Sequence, residues 1–249
     1  MADPATKLTA LLRKITIDDD EEALKTANAA LKISKNNYEA LHTRVVALIR
    51  LDRFEDALRA IEDGGSKLAE RCLLEKTYAT YKAGHLTEAA LLSQDSKNRG
   101  INHVAAQVAY RAGNLQLASR LYEDLSRNDS SIQNEDIDLK VNSLAIDAQI
   151  YWQRCGDKAK GATKKPSQED LSLFEISYNY ACILIAQDDL ENAIAFLQMA
   201  KHLCESSEDM SEEEKKSELL SIILQQAYVL MRIGKYTEAQ DLYNSINIA

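Results

Sequence analysis

The sequence predicts an all-α solenoid built from stacked helical hairpins, and three observations carry that expectation. A short turn phrase recurs along the chain, helix-breaking residues are scarce, and apolar residues fall at helical spacing around each recurrence. The phrase occurs five times, as LDRFEDA (51–57), AGHLTEA (83–89), AGNLQLA (112–118), QDDLENA (187–193) and IGKYTEA (233–239). Each copy has Gly or Asp, then any residue, then Leu, Phe or Tyr, then two residues and Ala. Gly84, Gly113 and Gly234 can take the left-handed backbone that ends a helix, whereas Asp52 and Asp188, at the same place, tolerate it less readily. The apolar residue that follows (Phe54, Leu86, Leu115, Leu190 or Tyr236) is placed to open a second helix with a buried contact. The small residue three positions on (Ala57, Ala89, Ala118, Ala193 or Ala239) lets two helices approach closely.

Composition agrees. The 249 residues include only 2 Pro and 8 Gly, and 45% are hydrophobic, enough for a core without helix breakers. Leu41, Val45 and Leu48 before one turn, and Ala193, Ile194, Leu197 and Ala200 after another, lie at helical spacing. Ala57 and Ala89 are 32 positions apart, Ala89 and Ala118 are 29 apart, and Ala23 in a weaker first copy stands 34 before Ala57. A period of about 34 with this alanine pattern is that of the tetratricopeptide repeat. The early Trp and terminal Pro usual in that repeat are missing. About six to seven hairpins are expected in a single solenoid over residues 1–249.

Two stretches interrupt the period. Asp136–Arg154 reads as a helix carrying Leu139, Leu144, Ile146 and Trp152, the body of an irregular fifth unit. GDKAKGATKKPSQ (156–168), with its two Gly, four Lys and a Pro, reads as a mobile loop. A second insertion, about 205–212, precedes a helix opened by Ser211 as cap with acids in its first turn. Asp18–Glu22 reads similarly, as a turn and an acidic first turn. The last unit stops at Ile248–Ala249 without the polar capping helix that terminal repeats carry, so the sequence reads as part of a longer chain.

Several function classes find no support. No stretch reaches the roughly 20 apolar residues of a membrane span, and the N-terminus shows no secretory signal. Cys72, Cys155, Cys182 and Cys204 lie far apart, with Cys72 and Cys182 in apolar patterns that suit small core residues in a reducing compartment. His42, His85, His103 and His202 show no metal-ligand spacing, so neither metal nor cofactor is expected. No phosphate loop, nucleophile elbow or His-Glu-x-x-His pattern occurs, and no enzymatic activity is expected. A net charge of −9 opposes general polyanion binding, which leaves RNA contact resting on the lysine loop alone; that loop lacks aromatic residues and reads as solvated.

Beyond its repeat class, the chain resembles one family in particular. ALHTRVVALIRLDRFEDALRAI (40–61), LEKTYATYKAGHLTEA (74–89), YNYACILIAQDDLENAIAFLQMAKHLCE (178–205) and ILQQAYVLMRIGKYTEAQDLYNSI (223–246) are similar to the N-terminal region of the 72-kilodalton subunits of the signal recognition particle. The order of units, with an irregular middle helix containing NSLAIDAQ (142–149), singles out that family more than any one phrase. The resemblance implies a cytoplasmic scaffold whose repeats bind the C-terminal part of the 68-kilodalton partner subunit. It also implies that RNA contact belongs to a separate basic segment, which is not present in these residues.

A partner would lie along the first helices of the hairpins, which line the concave side of such solenoids. Positions ten, six and three before each turn share one helical face. They are His42, Val46 and Ile49; Leu74, Tyr78 and Tyr81; His103, Gln107 and Tyr110; Tyr178, Cys182 and Ile185; Leu224, Tyr228 and Met231. The tyrosines offer apolar area with a hydroxyl for peptide backbone, although such rings can equally pack between repeats. Arg50, Lys82, Arg111 and Arg232, two before the turn, suit either the helix macrodipole or an acidic partner segment. The predicted partner-binding set is His42, Tyr78, Tyr81, Lys82, His103, Gln107, Tyr110, Arg111, Tyr178, Tyr228 and Arg232. The dicarboxylate clamp of chaperone-binding repeats does not fit, because Leu8, Leu12, Thr43 and Glu75 stand at its positions and only Arg71 matches. An adaptor for a different peptide is the alternative reading.

Overall fold

The computed structural model describes residues 19–127, 135–153, 165–208 and 210–246, and among them there is no strand. Thirteen α-helices follow one another. They are α1 (Asp20–Ile33), α2 (Tyr38–Arg50), α3 (Phe54–Asp63), α4 (Ser66–Arg71), α5 (Leu73–Lys82), α6 (Leu86–Ser93), α7 (Arg99–Arg111), α8 (Leu115–Arg127), α9 (Glu135–Gln153), α10 (Phe174–Ala186), α11 (Leu190–Ser206), α12 (Glu212–Arg232) and α13 (Tyr236–Ile246). The chain divides into two compact units, Met1–Leu121 and Tyr122–Ala249.

The five turn phrases form one recurring structure. Asp52, Gly84, Gly113, Asp188 and Gly234 all have positive φ, at 54°, 91°, 76°, 65° and 83°. The residue after each donates its N–H back across the turn. Arg53 reaches the Leu48 carbonyl at 2.8 Å, His85 reaches Thr80 at 3.1 Å, and Asn114, Asp189 and Lys235 reach Ala109, Leu184 and Leu230 at 2.9 Å each. These bonds supply donors to carbonyls that a helix end would otherwise leave unpaired. Ala57, Ala89, Ala118 and Ala193 have no exposed surface and Ala239 has 5%, as close helix approach requires. Five hairpins are thus complete among the described residues: α2–α3, α5–α6, α7–α8, α10–α11 and α12–α13. Helix α1 is the second helix of the weak first copy, whose preceding residues lie outside the described ones. Helix α9 is the body of the irregular unit.

In the first unit, α1 packs on α2, α2 on α3, α3 on α5, and α5 on both α6 and α7. Val45, Leu48, Ile61, Leu68 and Cys72 form its main core. The short helix α4 was not anticipated. Gly65, with φ of 77°, redirects the chain after α3, and α4 then plugs Leu68 into the core at 1% exposure. Asp19 caps α1 by accepting from the Glu22 N–H at 2.9 Å, with acids in the first turn as expected.

In the second unit, α9, α10, α11, α12 and α13 pack each on the next. Ile183, Leu184, Leu197, Cys204, Ile222 and Val229 make the core. Truncating a fully buried leucine such as Leu197 costs about 2–5 kcal/mol in cores of this kind. The lysine-loop reading falls largely on residues 154–164, outside the described ones. Its described end is held: Lys165 Nζ lies 5.5 Å from the centre of the Phe196 ring, and the Ser167 hydroxyl donates to Asp170 at 2.7 Å. The second insertion is narrower than 205–212, because α11 continues to Ser206 and α12 opens at Glu212. Ser211 caps α12 as predicted, with a reciprocal box in which Glu214 accepts from the Ser211 N–H at 2.8 Å.

Two expectations need correction. Tyr236 does not open α13 with a buried contact but is 70% exposed. Its counterpart Phe54 is covered by Tyr78 from the next hairpin, with ring centres 6.2 Å apart, and no described helix follows α13 to cover Tyr236 in the same way. Cys182 is half-buried at the edge of the core rather than inside it, whereas Cys72 is buried as expected and Cys204 is buried as well. Burial pushes the Cys72 and Cys182 thiols up to about 11.

Candidate partner-binding faces

The hairpin geometry gives each first helix two faces. Residues such as Val45, Ala79, Val108 and Val229 turn into the core, and the predicted stripe lies away from them. Fourteen of its fifteen positions reach solvent; the exception is Ile185, 4% exposed, which the helices packed around α10 draw into the core. The eleven predicted binding residues are all half-buried or exposed.

In the first unit the stripe comes from α2, α5 and α7. Exposed His42 on α2 brings Nε2 to 2.8 Å from Glu75 Oε1 on α5. Tyr78 and Tyr81 pack one side against Ala89, Val104 and Val108, so each ring is shared between core and surface. The Arg111 guanidinium lies 5.3 Å from the Tyr81 ring centre, and the Lys82 ammonium 5.5 Å from that of Phe54. His103, Gln107 and Tyr110 stand half-buried along α7.

The second unit takes its stripe from α10 and α12. Tyr178 packs against the core and hydrogen-bonds the Cys182 thiol. Tyr228 meets Trp152 of α9 edge to face, with ring centres 6.2 Å apart, and its hydroxyl accepts from Arg232 at 2.8 Å. Leu224 and Met231, four before and three after Tyr228 and therefore on its side of α12, are 45% and 51% exposed. With Trp152, 47% exposed, they make an open apolar patch around Tyr228. Trp152 is the residue sequence reasoning missed, since it lies on the irregular helix and has no turn-relative position. Two clefts open elsewhere in this unit. One of about 630 Å³ is lined by Ile194, Lys201, His202, Gln226, Leu230 and Asp241, and one of about 530 Å³ by Lys165, Leu171, Phe196, Met199 and Leu203.

The cations before the turns share a geometry that neither sequence reading supplied. Each reaches back to the preceding hairpin: Arg50 to Asp20 at 3.4 Å, Lys82 to the Phe54 ring, Arg111 to the Tyr81 ring, and Arg232 to Asp188 at 2.7 Å. They act as latches between repeats, each worth up to about 1 kcal/mol at exposed positions. Elsewhere the carboxyls titrate by surroundings. Burial and the nearby Glu123 carboxylate raise Asp147, whereas the bond from Lys140 and those from Ser167 hold Asp170 low. The faces thus present half-buried rings, hydroxyls and anchored cations, a chemistry suited to gripping peptide.

Residues 16–149 match the signal recognition particle TPR-like family, described as "Putative TPR-like repeat". The chain belongs to that family. It is 35% identical over 237 residues to signal recognition particle subunit SRP72 from dog and from human, covering 92% of this chain and 34% of each relative. It is 31% identical over 247 residues to the Caenorhabditis elegans subunit, covering 97% of this chain and 37% of that one. The chain therefore spans about a third of the length of the curated relatives it matches. The family match takes in α1 to α8 and much of α9, with eight of the eleven predicted residues, all but Tyr178, Tyr228 and Arg232. No described helix is long and apolar enough to cross a membrane.

Proposed function

We propose that this chain is the protein-binding repeat region of a signal recognition particle subunit, and that its first-helix faces hold the C-terminal part of the 68-kilodalton partner subunit. The reading places it in the cytoplasm, as a scaffold for a particle that targets nascent proteins to the endoplasmic reticulum, with no catalysis of its own. The observation that carries it is the 35% identity to SRP72 subunits over nearly the whole chain. The solvent-reaching tyrosine stripe on α5, α7, α10 and α12 gives the reading a surface, because rings with hydroxyls supply contact area at low entropic cost and bond to peptide backbone.

The test is reconstitution. The purified chain and the C-terminal part of the 68-kilodalton subunit should co-elute as one complex on size exclusion. Failure to co-elute, with both components folded, would remove this partner and leave the adaptor for another peptide to be sought by identifying chains captured from the native source.

A further inference from the structure

The fold brings a distant histidine beside a cysteine and a glutamate that stand three positions apart, three unlike metal donors in one place. His42 lies on α2, Cys72 just before α5 and Glu75 in its first turn, 33 positions from His42. A ring nitrogen, the Cys72 sulfur and a carboxylate oxygen all lie within 4.8 Å of one another. His42 Nε2 and Glu75 Oε1 are already 2.8 Å apart.

We propose that His42, Cys72 and Glu75 form a site for a thiophilic divalent cation of the Zn²⁺ class, tying α2 of one hairpin to α5 of the next. In tetrahedral zinc sites, metal–ligand distances of about 2.0–2.3 Å put neighbouring ligand atoms about 3.3–3.6 Å apart. The nitrogen–oxygen pair must open by about half an ångström from its present bond, and the sulfur must close by at most about 1.5 Å. Rotamer adjustment of His42 and Glu75 supplies such movements, because both side chains reach solvent, at 49% and 22% exposure. The same opening gives the ion an entry path from the His42 and Glu75 side, the Cys72 side chain itself being buried. One thiolate with one imidazole selects zinc-like ions over magnesium or calcium, which prefer all-oxygen shells. On binding, the Cys72 thiol loses its proton to solvent as the metal–sulfur bond forms. Arg71, next in the chain, opposes a cation; its guanidinium is stacked over the Tyr38 ring at 5.9 Å. The site shares His42 with the predicted binding face, but its test reads bound metal rather than partner, so the two readings can fail separately.

Cobalt titration of the 249-residue chain tests it, because Co²⁺ reports its ligands by absorption. Wild type should bind one Co²⁺ with tetrahedral visible bands and a thiolate charge-transfer band in the near ultraviolet, and Zn²⁺ should displace it. Cys72→Ser should abolish the charge-transfer band, while Cys155→Ser, Cys182→Ser and Cys204→Ser should keep it. His42→Ala, on an exposed side chain that leaves the core intact, should weaken Co²⁺ binding by at least about tenfold. No charge-transfer band in wild type, a band that survives Cys72→Ser, or His42→Ala binding as tightly as wild type would each overturn the assignment. If Cys72→Ser fails to fold, the His42→Ala titration decides alone.

Discussion

Replacing Gly113 with alanine should destabilise the first unit by about 1 kcal/mol. Gly113 has φ of +76°, and an added Cβ would meet nothing within 4 Å, so the cost is purely that of the backbone conformation. An L-residue in the left-handed region costs about 1–2 kcal/mol, from which the reduced freedom of the unfolded chain returns about 0.4–1 kcal/mol. Asp52→Gly perturbs the same position of another turn in the opposite sense. It relieves φ of 54° but frees the unfolded backbone, so its stability should stay within about 0.5 kcal/mol of wild type or rise. Urea unfolding followed by far-ultraviolet circular dichroism measures both. Amide exchange adds a local readout: the Asn114 N–H, bonded to Ala109 at 2.9 Å, should exchange about fivefold faster in the Gly113 variant, the factor equivalent to 1 kcal/mol. A Gly113→Ala protein as stable as wild type, with unchanged urea dependence and Asn114 exchange, would refute the claim that these turns require left-handed residues.

Two further predictions concern charge. Asp147 has its carboxyl raised, chiefly by burial and then by Glu123, so its charged form is disfavoured by folding and stability falls as pH rises from the ordinary aspartate value of 3.8 through the raised one. Asp147→Asn should therefore raise the melting temperature at neutral pH, with the gain vanishing below pH 3.8; a loss at neutral pH would mean the charge is paired and favourable. With its net charge of −9 the chain should show no specific affinity for structured RNA at physiological salt, and tight binding that survives unrelated competitor RNA would contradict this.

The parts of the fold legible in the sequence are those fixed by local backbone chemistry. The tight turn inside each hairpin calls for a left-handed residue, and the five Gly or Asp positions all proved to be such residues. A helix start is favoured by a short polar acceptor, and Ser211 caps α12 where its acidic first turn begins. What depends on a distant neighbour was hidden. Helix α4 follows Gly64–Gly65, which reads locally as a break, and its place is decided by the pocket that takes Leu68. Tyr236 and Phe54 occupy equivalent turn positions but differ in cover because one has a following hairpin above it and the other has none among the described residues. Of the candidate site, helical spacing located the solvent-reaching stripe, since the core takes the opposite side of the same helices. It could not show that Arg111 is already stacked on Tyr81, that Trp152 joins Tyr228, or that Cys72 approaches His42, because those contacts cross between helices.

The central claim is that the tyrosine-bearing first-helix face binds the partner segment, and calorimetric titration of that segment into the Tyr81→Ala/Tyr110→Ala chain tests it most directly. Both residues lie in the first unit on successive first helices, and losing about 1 kcal/mol or more from each weakens binding by at least about thirtyfold. Because Tyr81 also packs against Val104 and Val108, helicity must be followed in parallel, with Tyr81→Phe/Tyr110→Phe as the variant that keeps the packing and removes only the hydroxyls. A helical, folded double-alanine protein should bind at least about thirtyfold more weakly; wild-type affinity in that same protein would contradict binding at this face.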